Sequence, residues 1–297
     1  LAGGQLQKEL KDITAELADG EINGEYKDYE YIIDDKFNVT INGPVTGVRI
    51  KGSAEVQTGY VFEGNTVDVK ATMDLFVSKN TNNLSIKNNK MKFERVTTKT
   101  NTFVMYVPEN NVQDAIIENN EIEIQNNTGT AINGILTSNS KNITFNKNKL
   151  TVNSSIAEAF SGGMVNTNNT ITFNGEVNIL VNKPREYNGN NITFNNRLGA
   201  IAQYFVGTID WNSNIKNNNF EINFEETESN KKSIILMFNG GTLDNHIVTF
   251  EDNTIKSEKA NYKSNLIYIL NLADTTPQTI KIINNSMSGY KLIWKAQ

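Results

Sequence analysis

Phe145-Asn146-Lys147-Asn148-Lys149-Leu150 decides the fold, because the phrase keeps returning along the chain. Ile143 and Phe145 before it, and Leu150 and Val152 after it, alternate with polar residues, so two short strands flank an asparagine-bearing turn. Other copies read Ile86-Lys87-Asn88-Asn89-Lys90-Met91, Ile117-Glu118-Asn119-Asn120-Glu121-Ile122 and Phe194-Asn195-Asn196-Arg197-Leu198. Further copies are Ile215-Lys216-Asn217-Asn218-Asn219-Phe220, Phe250-Glu251-Asp252-Asn253-Thr254-Ile255 and Ile283-Asn284-Asn285-Ser286-Met287. Such a unit has one apolar side and nothing of its own to bury it against. Stacked on copies of itself it buries that side, which is the physical case for a solenoid.

With Asn89 as reference, the expected turn positions are Asn89, Asn120, Asn148, Gly175, Asn196, Asn218, Asn253 and Asn285, in steps of 31, 28, 27, 21, 22, 35 and 32 residues. The shortest step resembles a minimal three-strand coil, and longer steps leave residues to loop out from a constant core. Gly175 in an Asn position implies a left-handed backbone there, since Gly and Asn share access to positive φ. Alternation selects Ile171 and Phe173, Val177 and Ile179, and Ile192, Phe194 and Leu198 as further inward residues. A third apolar run closes most coils, as in Ala131–Leu136, Ile201–Val206, Ser233–Phe238 and Leu266–Leu270. Three runs per coil predict three parallel sheets, with the turn asparagines stacked into an amide ladder.

The N-terminal segment differs. Leu6, Leu10, Ile13 and Leu17 repeat at helical spacing within residues 5–18, with Gly20 as a stop, which predicts a short amphipathic helix that caps the solenoid or ends a stem. The expected organisation is therefore residues 1–28 as helix and cap or stem end, 29–290 as parallel β-helix and 291–297 as a last strand or cap.

Asparagine accounts for 48 of 297 residues, against 4 Pro. The 38% hydrophobic content, spaced at regular intervals, argues for an ordered core and assigns the asparagine excess to turns. A net charge of −5 without a Lys/Arg run provides no footprint for nucleic acid or anionic lipid. No apolar run is long enough to span a membrane as a helix. The lack of Cys excludes disulfides and thiol chemistry.

On this coil pattern, over roughly residues 30 to 290, the chain resembles right-handed parallel β-helices of the pectin-lyase-like class, found in polysaccharide lyases and hydrolases and in bacteriophage tailspikes. The resemblance implies an all-β, three-sheet solenoid. For function it implies a phage tail or surface-appendage protein, a homotrimer at the virion or extracellular surface that binds a cell-surface polysaccharide. Other tail or virion proteins are further partners it implies. A polysaccharide depolymerase and a purely structural virion component are the alternatives. No cofactor or metal is expected.

For chemistry, His246 is the one histidine, and its place just before a strand makes it a turn residue rather than a catalytic one. Carboxylates remain: Glu225, Glu226 and Glu228 after Phe224, with Asp210 at the end of the preceding coil, are candidates for a glycosidase pair, or else part of a solvated charged loop. Tyr187, Arg185, Tyr204 and Trp211 occur in or beside the connections of successive units. They suit a shallow glycan groove, with core or interchain packing as the other reading of Tyr204 and Trp211.

Overall fold

The computed structural model describes residues 142–224 without interruption, together with strands and turns between residues 10 and 296. Side chains are described chiefly within 85–95, 114–136, 142–204, 209–224, 245–257 and 279–288. Three long sheets of 12, 9 and 10 strands, here sheets 1, 2 and 3, contain nearly all the strands, and their pairings are parallel. The coil around Asn148 shows the plan. Asn142–Asn146 lies in sheet 2, Lys147 and Asn148 turn the chain, Lys149–Asn153 lies in sheet 3 and Ile156–Ser161 in sheet 1. Each strand pairs with its counterpart one coil away: Phe145 with Ile117 and Asn166, Val152 with Ile124 and Phe173, Phe160 with Leu136 and Val181. Consecutive strands thus belong to different sheets, and the chain advances one coil per circuit. This is an all-β parallel solenoid, with a topology consistent with the right-handed crossover that parallel strands favour.

Alternation puts one face of sheets 2 and 3 inside. Leu150 and Val152 are buried while Lys149 is exposed. Stacking then aligns like with like: Phe173 lies over Phe194 with ring centroids 5.5 Å apart. Sheet 1 departs from this rule. Consecutive residues are buried there, as in Ala159 and Phe160, Leu180 and Val181, and Ile201 and Ala202. That explains why its strands read as unbroken apolar runs rather than alternating ones.

The asparagine ladder is present, and its register differs from the one expected. Side-chain amides link Asn89, Asn120, Asn148, Asn169, Asn190, Asn218, Asn253 and Asn285, each donating from Nδ2 to the next Oδ1 at 3.0 to 3.2 Å. Gly175 and Asn196 are not members; Asn169 and Asn190 hold those rungs. The coils are therefore 31, 28, 21, 21, 28, 35 and 32 residues long. Phe194, which precedes Asn195-Asn196, pairs with Phe173 and Ile222 in sheet 3, so Asn196 follows sheet 3 instead of preceding it. The left-handed residue is the one before each ladder asparagine: Asn88, Asn119, Lys147, Asn168, Gly189, Asn217, Asp252 and Asn284, with φ between 53° and 68°. Gly175 is outside that region. Its constraint is a close approach, since a Cβ would fall 2.2 Å from the Ser154 carbonyl.

Of the segment where a helix is expected, Leu10–Asp12 is described, as a strand paired with Glu30–Ile33; the rest lies outside the described residues.

Candidate functional site

The corner where sheet 3 hands the chain to sheet 1 carries a surface groove of about 290 Å³, near the lower limit for small-molecule sites. Ile156, Val177 and Leu198 stack in register there, and the residues on either side of these three form the groove. Before them come Ser155, Glu176 and Arg197, and after them Ala157, Asn178 and Gly199, with Ala131 from the preceding coil. Small side chains make the depression. At Gly199 no larger residue fits, because a Cβ would lie 2.3 Å from the Asn178 carbonyl oxygen. Glu176, Asn178 and Arg197 supply the polar groups. The cation and the carboxylate sit on adjacent coils, so the lining carries no net charge.

The bank nearest the N-terminus is a pinned loop. Asn126 accepts from the backbone N–H of Thr128 at 3.0 Å and donates to the Thr130 carbonyl at 2.7 Å and to Ser154 Oγ at 2.9 Å. Beneath it Arg95, fully buried, donates from Nη1 to the carbonyls of Thr130 and Ala131 at 2.9 and 3.0 Å. A buried guanidinium held by carbonyls fixes the loop from inside. The groove is therefore rigid on that side.

The residues singled out from the sequence lie elsewhere. Tyr187 is 1% exposed, its ring edge against Phe160, and its hydroxyl has no hydrogen-bond partner. Tyr204 is 2% exposed, stacked on Phe238 at 4.7 Å and bonded to Ser213 Oγ at 2.7 Å. Both are core residues with no surface for a ligand, which corrects the glycan-binding expectation for them. Burial pushes both hydroxyls' pKa up, opposed at Tyr204 by the Ser213 bond. Trp211 is half-buried. Its Nε1 donates to the Pro184 carbonyl at 3.1 Å and its six-membered ring lies on Gly163, where a Cβ would meet it at 2.9 Å. The indole thus spans two earlier coils at the corner between sheets 1 and 2, beside half-exposed Arg185 and exposed Asp210. Glu225, Glu226 and Glu228 lie outside the described residues. Among the described residues no acidic or histidine cluster could hold a metal, and no helix is long and apolar enough to cross a membrane.

The groove residues left a faint mark in the sequence. Ser155, Glu176 and Arg197 are one 21-residue coil apart, as are Ala157, Asn178 and Gly199. The register read through Gly175 and Asn196 contains one such 21-residue step but places it at the wrong corner of sheet 3.

Comparison with known proteins returned no match among family models, curated proteins or solved structures. The architecture itself, a three-sheet parallel solenoid with an internal amide ladder, is consistent with that of carbohydrate-binding and carbohydrate-processing β-helices in general.

Proposed function

We propose that the chain is a polysaccharide-binding solenoid and that its ligand lies in the groove between Ala131 and Gly199. The observation that carries this reading is the groove itself: the small residues Ala131, Ser155, Ala157 and Gly199 gathered at one corner of the coil stack, edged by Glu176, Asn178 and Arg197. Polar groups held on rigid strands suit a hydroxyl-rich ligand. A glycan array with the parent protein and the groove-filling Ala157→Trp tests it. Binding to a glycan by the parent and its loss in Ala157→Trp, at unchanged melting temperature, is the expected result. Failure of the parent to bind any glycan removes the proposal.

Hydrolytic depolymerase activity needs two carboxylates at defined separation. Glu176 is the single carboxylate among the groove's described lining residues, so the groove lacks the pair a hydrolase would use. The surface-appendage setting and the homotrimer rest on fold-level analogy with tailspikes. The mass of the protein in solution tests the assembly, and a monomer at all concentrations defeats it.

A further inference from the structure

A second amide ladder runs on the outside of the molecule. Asn153 Nδ2 donates to Gln125 Oε1 at 3.2 Å, Asn174 to Asn153 Oδ1 at 2.7 Å, Asn195 to Asn174 at 2.8 Å and Asn223 to Asn195 at 3.0 Å. These residues end the sheet-3 strands. Asn153, Asn174 and Asn195 stand two residues before Ser155, Glu176 and Arg197, so the ladder runs beside the groove on the sheet-3 side, just outside its lining.

The two ladders use their amides differently. Inside, both N–H groups and both lone pairs of Asn148 are spent: Oδ1 accepts twice from Asn120, and Nδ2 donates to Asn169 and to the Ile117 carbonyl. Outside, Asn174 and Asn195 are exposed and each spends one N–H and one lone pair on the ladder. An amide has two of each. At Asn174 and Asn195 one donor and one acceptor each therefore remain for solvent or a ligand, repeated at the strand spacing of about 4.8 Å. The chain of bonds fixes the sense of every amide, because each Nδ2 points to the preceding coil. The array is preorganised, so its ordering cost is met before a ligand arrives.

From this geometry we infer that the outer ladder is the specificity-determining bank of the groove, and that it selects an uncharged, hydroxyl- or N-acyl-bearing polymer extended along the solenoid axis. The inference rests on the polysaccharide reading above. A hydroxyl or secondary amide both donates and accepts, which is what each rung offers. A carboxylate only accepts, and would leave the rung's lone pair facing its own charge. The bank carries no cation, and Arg197 is offset by Glu176 on the adjacent coil, so a polyanion gains nothing from the groove as a whole.

The test uses an array of neutral, N-acetylated and uronic-acid oligosaccharides of increasing length, probed with the parent, Asn174→Ala/Asn195→Ala and Ala157→Trp. Neutral or N-acetylated chains should bind, tighter with length until four coils are covered. Raising the salt from about 0.01 M to about 1 M should leave that binding unchanged. Losing two rungs should weaken it about tenfold, with no change in melting temperature because both residues are exposed. Ser155→Tyr fills the groove at a second position should Ala157→Trp fail to fold. Loss of binding in a folded groove-filling variant, with full affinity in Asn174→Ala/Asn195→Ala or strongly salt-dependent binding of uronic chains, overturns the ladder inference and leaves the groove reading standing. No glycan bound by the parent overturns both.

Discussion

Replacing Asn148 by Ala removes one rung of the inner ladder, and the cost follows from what its neighbours lose. The Asn120 backbone N–H and one Asn120 Nδ2–H, both 3.0 Å from Asn148 Oδ1, are left without an acceptor, and the Ile117 carbonyl loses its 2.9 Å donor. Asn120 and Asn148 are each 2% exposed, so solvent does not reach these groups without a local opening. A buried, orphaned donor costs roughly 1–3 kcal/mol, and two of them therefore about 2–6 kcal/mol. A water molecule entering the vacated, polar space offsets part of that, which places the expected loss near 3 kcal/mol. With an unfolding entropy of about 2.1 cal/mol/K per residue over 297 residues, the loss corresponds to about 5 °C in melting temperature.

Asn196→Ala is the matched control. Its side-chain oxygen accepts only the Arg197 backbone N–H, at 2.8 Å, in a half-exposed corner where water can replace it. The expected change is within about 0.5 kcal/mol, or under about 1 °C. Thermal melts of both variants, with hydrogen exchange at the Asn120 amide, separate the rungs from the look-alike. Equal shifts in the two variants, or an Asn120 amide that keeps its protection in Asn148→Ala, would refute the ladder accounting.

Tyr187→Phe deletes a buried hydroxyl that has no partner and should raise stability by about 1 kcal/mol in a denaturation curve; a loss instead would indicate an ordered water on that hydroxyl. Because burial raises the pKa of Tyr187 and Tyr204, both stay neutral in the fold while unfolded tyrosines ionise near pH 10. Their contribution is intact below about pH 10 and falls above it by about 1.4 kcal/mol per pH unit for each residue, so Tyr187→Phe should halve the pair's alkaline slope. Gly175→Ala should destabilise by more than about 2 kcal/mol, because its Cβ meets backbone at 2.2 Å, whereas Gly129→Ala, with open space and φ of +73°, should cost only about 1–2 kcal/mol. A reversed order in melts of these two variants would contradict the close approach at Gly175.

The sequence allowed the coil to be read and its register to slip in one place, and the reason is physical. Both corners of sheet 3 join apolar strands through asparagines, so Phe145-Asn146-Lys147-Asn148 before that sheet and Phe194-Asn195-Asn196-Arg197 after it share a pattern. At the first of the two missed turns the flag is lost. Asn166, fully buried, takes the inward place that Phe145 and Ile117 hold in other coils, and its Oδ1 accepts from Asn169 Nδ2 at 2.7 Å. A polar residue in the apolar column broke the alternation ahead of Asn169. The similar phrase further along then captured the register. Core residues survived the error because Ile171, Phe173, Ile192 and Phe194 point inward in either assignment.

The groove was illegible for the opposite reason. A stacked core demands large apolar residues at fixed intervals, and such residues announce themselves. A surface depression on the same scaffold needs only a few small ones gathered at one corner: Ala131, Ser155, Ala157 and Gly199. Each of these is unremarkable alone, and only pairing in register places it beside the others. The aromatics that stand out in the sequence were drawn into the core or laid over a corner, because a Tyr or Trp contributes most when its large apolar surface is covered. In a solenoid, conspicuous side chains therefore mark the packing, and a binding surface is better sought where residues with little side chain gather at one corner of neighbouring coils. On that criterion the two 21-residue coils, which have no residues to spare for loops, are where a ligand can lie directly on the strands.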